Sequence, residues 1–149
     1  MTSSPGFFSL ETPEDLMDKL RHDYKRICSN PVDSYAAFDF FVTARHLPEW
    51  LKRSGRPSPP LTDSTVAAAL EIAGQIGNGA KHFVLEHKVK ATEVHSGVFD
   101  PALFDPNIFD TDNLLITLNA SDAAVIGQDT ISVTELGSRV MAHWNTVFT

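Results

Sequence analysis

Prolines break the first part of this chain at Pro13, Pro31 and Pro48, and then repeatedly in SGRPSPPLT, residues 54–62. Proline has no amide hydrogen and its ring clashes with the carbonyl four residues back, so a helix can begin at one but is disturbed by one further in. Between the breaks, apolar residues recur three and four apart, the period of one face of a helix. Together these two features predict helices, not strands, up to about residue 87.

Thr12-Pro13-Glu14-Asp15 has the form of a helix start: a threonine cap, proline in the first position and acids beside the positive end of the dipole. Leu16, Leu20, Tyr24 and Ile27 follow at helical spacing, giving a first helix over 13–28 that Ser29-Asn30-Pro31 ends. A second helix is expected from Val32 to Arg53, with Ala37, Phe40, Phe41, Ala44, Leu47 and Leu51 as its apolar stripe. Tyr35, Asp39, Val42 and His46 form a second line on roughly the opposite side. A helix apolar over much of its circumference belongs in the middle of a bundle. Pro48 predicts a kink or an early end there.

After SGRPSPPLT, Asp63 or Thr62 can cap a third helix over 63–87, with Val66, Leu70, Ala73, Gly77, Ala80 and Val84 on its apolar or small face. Its other side reads Glu71, Gln75, Asn78, His82 and Glu86, one continuous polar stripe. The stretch GNGAKHF sets Gly77 on the packing face and Asn78 and His82 on the polar one. Glycine inside a helix costs about 1 kcal/mol relative to alanine, and close approach of a neighbouring backbone is the natural compensation.

Beyond residue 87 the period changes. KVKATEVH, residues 88–95, alternates as a strand does, and NLLITL, residues 113–118, does so more weakly. Between them Phe-Asp recurs at 99–100, 104–105 and 109–110, twice followed by proline, which predicts an ordered loop pinned by its phenylalanines. Short strands are expected within 121–133, and then a last helix with Val133, Leu136, Val140, Trp144 and Val147 inward. The fold class is α+β, mainly α: a helical bundle of three to four helices with a small antiparallel hairpin or sheet in the C-terminal third. The 149 residues suit one domain, divided into a helical bundle over 12–88, a β/loop insertion over 89–131 and a C-terminal helix over 132–148.

Charge narrows the partners. Residues 1–90 carry eleven basic and eleven acidic side chains, whereas residues 91–149 carry Arg139 alone against eight acids. The whole net charge of −7 therefore lies in the last third. An acidic surface repels a polyanion, so duplex DNA is not an expected partner. The single cysteine, Cys28, rules out an intrachain disulfide framework and a cysteine-rich zinc site, and fits a reducing compartment. No run of eighteen apolar residues and no basic leader before an apolar stretch occurs, so a cytoplasmic protein without membrane insertion is expected.

The sequence contains no GxxxxGK[ST], no GxGxxG after a strand, no HExxH and no GxSxG. His82 and His87 are five apart, which puts them about 140° apart around a helix, so one face does not present both to a metal. The aspartates of the Phe-Asp repeat do not have EF-hand spacing. Neither a metal nor another cofactor is expected.

Asn78-x-x-x-His82, reached through YAAFDFFVTARHLPEWL and IGNGAKHF, is similar to the HEPN group of helical-bundle proteins found in prokaryotic toxin, defence and RNA-processing systems. The resemblance covers residues 14–87. Nucleases of that group pair an arginine with a histidine four to six residues later. The resemblance implies that His82 would act on a ribose 2′-hydroxyl, with Asn78 beside it, and needs no metal. Residues 71–81 contain no arginine, and Gln75 and Lys81 are the nearest substitutes. The resemblance also implies a homodimer formed where two copies of this helix meet.

The expectation is therefore a small interaction or regulatory protein, non-catalytic and self-associating, in a prokaryotic defence or toxin-antitoxin type of system, with a protein partner. Its binding residues would be Glu71, Gln75, Asn78, His82 and Glu86, with Tyr35, Asp39 and His46 joining them if they face His82 across the helix pair. One alternative is a metal-independent ribonuclease using His82 and Asn78, with RNA as substrate. The other is a small-molecule binding module between the helices and the sheet.

Overall fold

The computed structural model describes residues 7–56, 58–82, 94–96 and 114–149, with side chains for 7–56, 58–79 and 114–149. Three long helices come first: α1 over Pro13–Ser29, α2 over Ser34–Arg53 and α3 over Ser64–His82. Their starts follow from local chemistry. Thr12 accepts from the Asp15 amide at 3.2 Å while the Asp15 carboxylate accepts from the Thr12 amide at 2.9 Å, a reciprocal cap. Asp33 caps α2 by accepting from the amides of Tyr35 and Ala36. Asp63 does the same for α3, from Thr65 and Val66.

α2 is the central helix, packed against α1 on one side and α3 on the other. All six residues of its expected stripe are buried, with Phe40, Phe41 and Leu47 among the largest fully enclosed side chains. Pro48 does not end the helix, which runs on to Arg53. Because Pro48 has no amide hydrogen, the Ala44 carbonyl has no donor from it within the helix.

α3 is rotated relative to the expected face. Ala69, Ile72, Ala73 and Gly77 are buried, whereas Leu70 is half-buried. The sequence AAALEIAG is apolar on most of its circumference, so spacing alone does not select the face. At Gly77 the expected close approach is found. A Cβ there would press on the Phe41 carbonyl, 2.8 Å from its carbon and 2.9 Å from Arg45 Cβ, closer than real side chains come. The small-residue face around Gly77 is thus filled by α2 of the same chain.

The C-terminal part adds β1 over Val94–Ser96, β2 over Leu114–Thr117, α4 over Ala120–Ile126, β3 over Thr130–Ser132 and α5 over Val133–Val147. β2 lies between β1 and β3, antiparallel to both, with Val94 opposite Ile116 and Ile116 opposite Ile131. Ile116 and Ile131 are buried, and α5 packs against this sheet as well as against α1 and α3. The molecule is therefore α+β and mainly helical. Within 121–133 only Thr130–Ser132 is a strand. Residues 120–126 form a short helix instead, started by Asn119, which accepts from the Asp122 amide at 2.7 Å, and ended by Gly127 in the left-handed region at φ 88°.

Arg56 leads into the proline-rich segment. It pairs with Glu14 of α1 at 2.5 Å and lies over the Phe148 ring, 5.9 Å from its centre, which fixes this segment near the end of α5. Among the described residues no helix is long and apolar enough to cross a membrane. The Phe-Asp repeat at 99–110 and Glu86 lie outside the described residues.

Candidate functional site

Two places concentrate polar side chains. The first is the seam between α1 and α2. Asp23 is 1% exposed and accepts from Lys19 Nζ at 2.5 Å, from Arg26 at 3.3 Å and from the Thr43 hydroxyl at 3.4 Å. Lys19 also donates to Thr43 Oγ1 at 3.0 Å, and Arg26 reaches Asp39 at 2.6 Å. Two cations meet two carboxylates, so the seam is electrically complete. Asp39 is occupied by α1 and does not turn to α3. His46 lies 3.7 Å from Glu49, one turn along its own helix, and Tyr35 is 81% exposed. Asp39 therefore belongs to the α1 side of α2 and Tyr35 to its outer surface, while His82, which they were expected to face, has its side chain outside the described residues.

The second place is a cleft of about 570 Å³ framed by α2, α3, α5 and residues 58–61 of the proline-rich segment. Ala44, Arg45 and Pro48 form the α2 wall. Ala67, Leu70, Glu71, Gly74, Gln75 and Asn78 form the α3 wall, positions that recur at helical spacing along one face. Val140, His143 and Trp144 close it from α5, and Pro59 and Leu61 from the segment. Gly74 keeps the α3 wall low: a Cβ there would sit 3.6 Å from Arg45 Cδ, in ordinary contact with the arginine stem.

The polar atoms of this cleft are unmatched in a way those of the seam are not. Gln75 Oε1 and Trp144 Nε1 are both buried without a hydrogen-bond partner among the described residues. Arg45 and Glu71 both line the cleft, and neither has an ion-pair partner among the described residues. His143 stacks edge-on against Trp144, ring centres 4.8 Å apart, and its burial pushes the imidazole pKa below the ordinary value. A neutral imidazole offers one donor and one acceptor but no charge.

Of the expected site residues, Glu71, Gln75 and Asn78 come together on the cleft wall. His82 continues α3, and its side chain lies outside the described residues. Arg45, His143 and Trp144 were not among the expected site residues. The only sequence signal for Arg45 is the pair Gly74 and Gly77, three apart, which opens a groove for its stem. His143 sits next to a tryptophan assigned to the core. Among the described residues no group of three or more His, Cys, Asp or Glu is placed to hold a metal ion.

Chemically, the arrangement can hold a small organic molecule by an apolar body and a few directional polar groups. The walls from Ala44, Pro48, Pro59, Leu70, Val140 and Trp144 supply the first, and the glutamine, asparagine, histidine, arginine and glutamate supply the second. No family model matches this chain, and no curated protein or solved structure matches it significantly.

Proposed function

We propose that the protein is a non-catalytic regulatory module that binds a small molecule in the α2–α3–α5 cleft. One observation carries this reading: a cleft of ligand size is lined by Gln75 and Trp144, whose Oε1 and Nε1 are buried without a hydrogen-bond partner among the described residues. Buried polar groups are nearly always paired, and each one left unpaired costs about 1–3 kcal/mol. Both atoms are closed to water, so a ligand removes these costs by drawing the two side chains round toward it.

The test is a fragment library titrated into ¹⁵N-labelled protein, read at the tryptophan indole and glutamine amide signals. Saturable shifts of the Trp144 indole and Gln75 side chain are expected. Fragments that move only Trp50 or surface amides would sink the reading.

The same reading makes the protein a cytoplasmic, self-associating, HEPN-like partner of another protein, in a prokaryotic defence or toxin-antitoxin type of system and without duplex DNA as a ligand. The outer face of α2, where Tyr35 and Phe38 are exposed, supports self-association through this helix. The Gly77 face is no longer a reason for it. Light scattering on a size-exclusion column at tens of micromolar is expected to give a dimer, and a monomer would remove this part.

A second reading is a metal-independent ribonuclease, and Arg45 speaks for it. Its stem lies along α3 at Gly74 and Gly77, so α2 brings to the α3 stripe a cation that residues 71–81 lack as arginine. Wild type and His82→Ala incubated with structured and single-stranded RNA in chelator decide between the two. No cleavage by either is expected. Cleavage by wild type that is lost in His82→Ala would put the ribonuclease first.

A further inference from the structure

Among the described lining residues of the cleft, Arg45 and Glu71 are the one cation and the one carboxylate, from facing helices, and neither is paired within the described residues. Both are exposed, so water solvates them when the cleft holds no ligand. A molecule entering the cleft displaces part of that water. A ligand that answers both signs gains two charge-assisted contacts. A simple anion would gain Arg45 and meet repulsion from Glu71. A simple cation would do the reverse. An uncharged molecule would leave both unanswered.

Resting on the small-ligand reading above, we propose that the cleft recognises an α-amino acid with an apolar or aromatic side chain. Its carboxylate would pair with Arg45, its ammonium with Glu71, and its side chain would lie against Pro48, Leu70 and Val140. Gln75 Oε1 and Trp144 Nε1 on the same walls are closed to water, so the ligand's charged groups are met first by Arg45 and Glu71. His143, held neutral by its burial, adds no third charge to this set.

The experiment compares L-phenylalanine, 3-phenylpropionate and 2-phenylethylamine by isothermal titration calorimetry on wild type, Arg45→Gln and Glu71→Gln. The three probes share a ring and differ only in which charges they carry. L-Phenylalanine is expected to bind wild type at least roughly tenfold more tightly than either single-charge probe, the size of one lost charge-assisted hydrogen bond. Arg45→Gln is expected to weaken phenylalanine and phenylpropionate and leave phenylethylamine unchanged. Glu71→Gln is expected to do the opposite with the two single-charge probes.

Equal binding of all three probes to wild type would overturn the amino-acid assignment. So would uncharged fragments shifting the Trp144 indole while phenylalanine gives no heat. Both results leave the small-ligand reading standing. Silence of the Trp144 indole toward every probe and the whole fragment library would remove that reading as well. The wild-type comparison is decisive by itself should either variant fold poorly.

Discussion

The α1–α2 seam and the α2–α3–α5 cleft share one helix and differ in how their polar groups end. In the seam, Lys19, Asp23, Arg26, Asp39 and Thr43 satisfy one another around a carboxylate that is almost fully enclosed. In the cleft, Arg45, Glu71, Gln75 Oε1 and Trp144 Nε1 have no such partners among the described residues. The seam is finished by the chain itself and serves stability. The cleft's polar groups are left without partners among the described residues, and this is why the proposed site lies there. Polar residues on one helix therefore cannot be assigned a role by type, only by whether their partners are internal.

The comparison breaks first at its charged centres. Asp23→Ala leaves Lys19 and Arg26 facing each other across a buried gap and is expected to cost about 3 kcal/mol in urea unfolding, the low end for a broken buried pair because both cations stay about a third exposed. Glu71→Ala on the cleft wall is expected to change stability by less than about 0.5 kcal/mol. Similar losses in the two variants would erase the distinction between seam and cleft.

A second pair of variants separates the packed side of α3 from its open side. Gly77→Ala places a methyl group against the Phe41 carbonyl and is expected to destabilise by about 1–3 kcal/mol, through overpacking that the better helix propensity of alanine does not offset. Gly74→Ala meets only the Arg45 stem at 3.6 Å and is expected to raise stability by up to about 1 kcal/mol. Thermal denaturation of both variants checks the contrast, and a stabilised Gly77→Ala would contradict the close approach.

The smallest effect concerns His143. Its folded pKa lies below the ordinary value because burial disfavours the charged ring, so the folded chain binds fewer protons than the unfolded one as pH falls. Stability is then full above about pH 6.5 and declines as pH drops through that value toward the folded pKa. His143→Gln is expected to flatten this part of the curve. Melting temperatures of both proteins between pH 8 and pH 5 measure it, and parallel curves would show that the ring is not held neutral.

The helices and the core face of α2 were legible because proline breaks, caps and apolar spacing agree there. Ala37, Phe40, Phe41, Ala44, Leu47 and Leu51 repeat at helical spacing, and all are buried. α3 was legible as a helix but not in rotation, since small and apolar residues surround it. The stretch 120–126 escaped because a helix of seven residues makes barely two turns, too few for a period to emerge. Its signals were local instead, in Asn119 and Gly127. Half of the candidate site followed from the α3 spacing of Glu71, Gln75 and Asn78. The other half, Arg45, His143 and Trp144, comes from helices brought together only by tertiary packing, which no period within one segment encodes.

Pro48 sits in the α2 wall of the cleft, one turn after Ala44, which lines it as well. With the bond between them missing, α2 is a continuous helix that lacks one rung at that wall, held in the core by Phe40 and Phe41 before it and by Leu47 and Leu51 around and after it. Amides of the last turn, Trp50 to Arg53, are expected to exchange with solvent deuterium sooner than those of Phe40 to Ala44. Under the small-ligand proposal, the missing rung lets the cleft wall adjust at a single turn while the buried side chains on either side hold the helix in place.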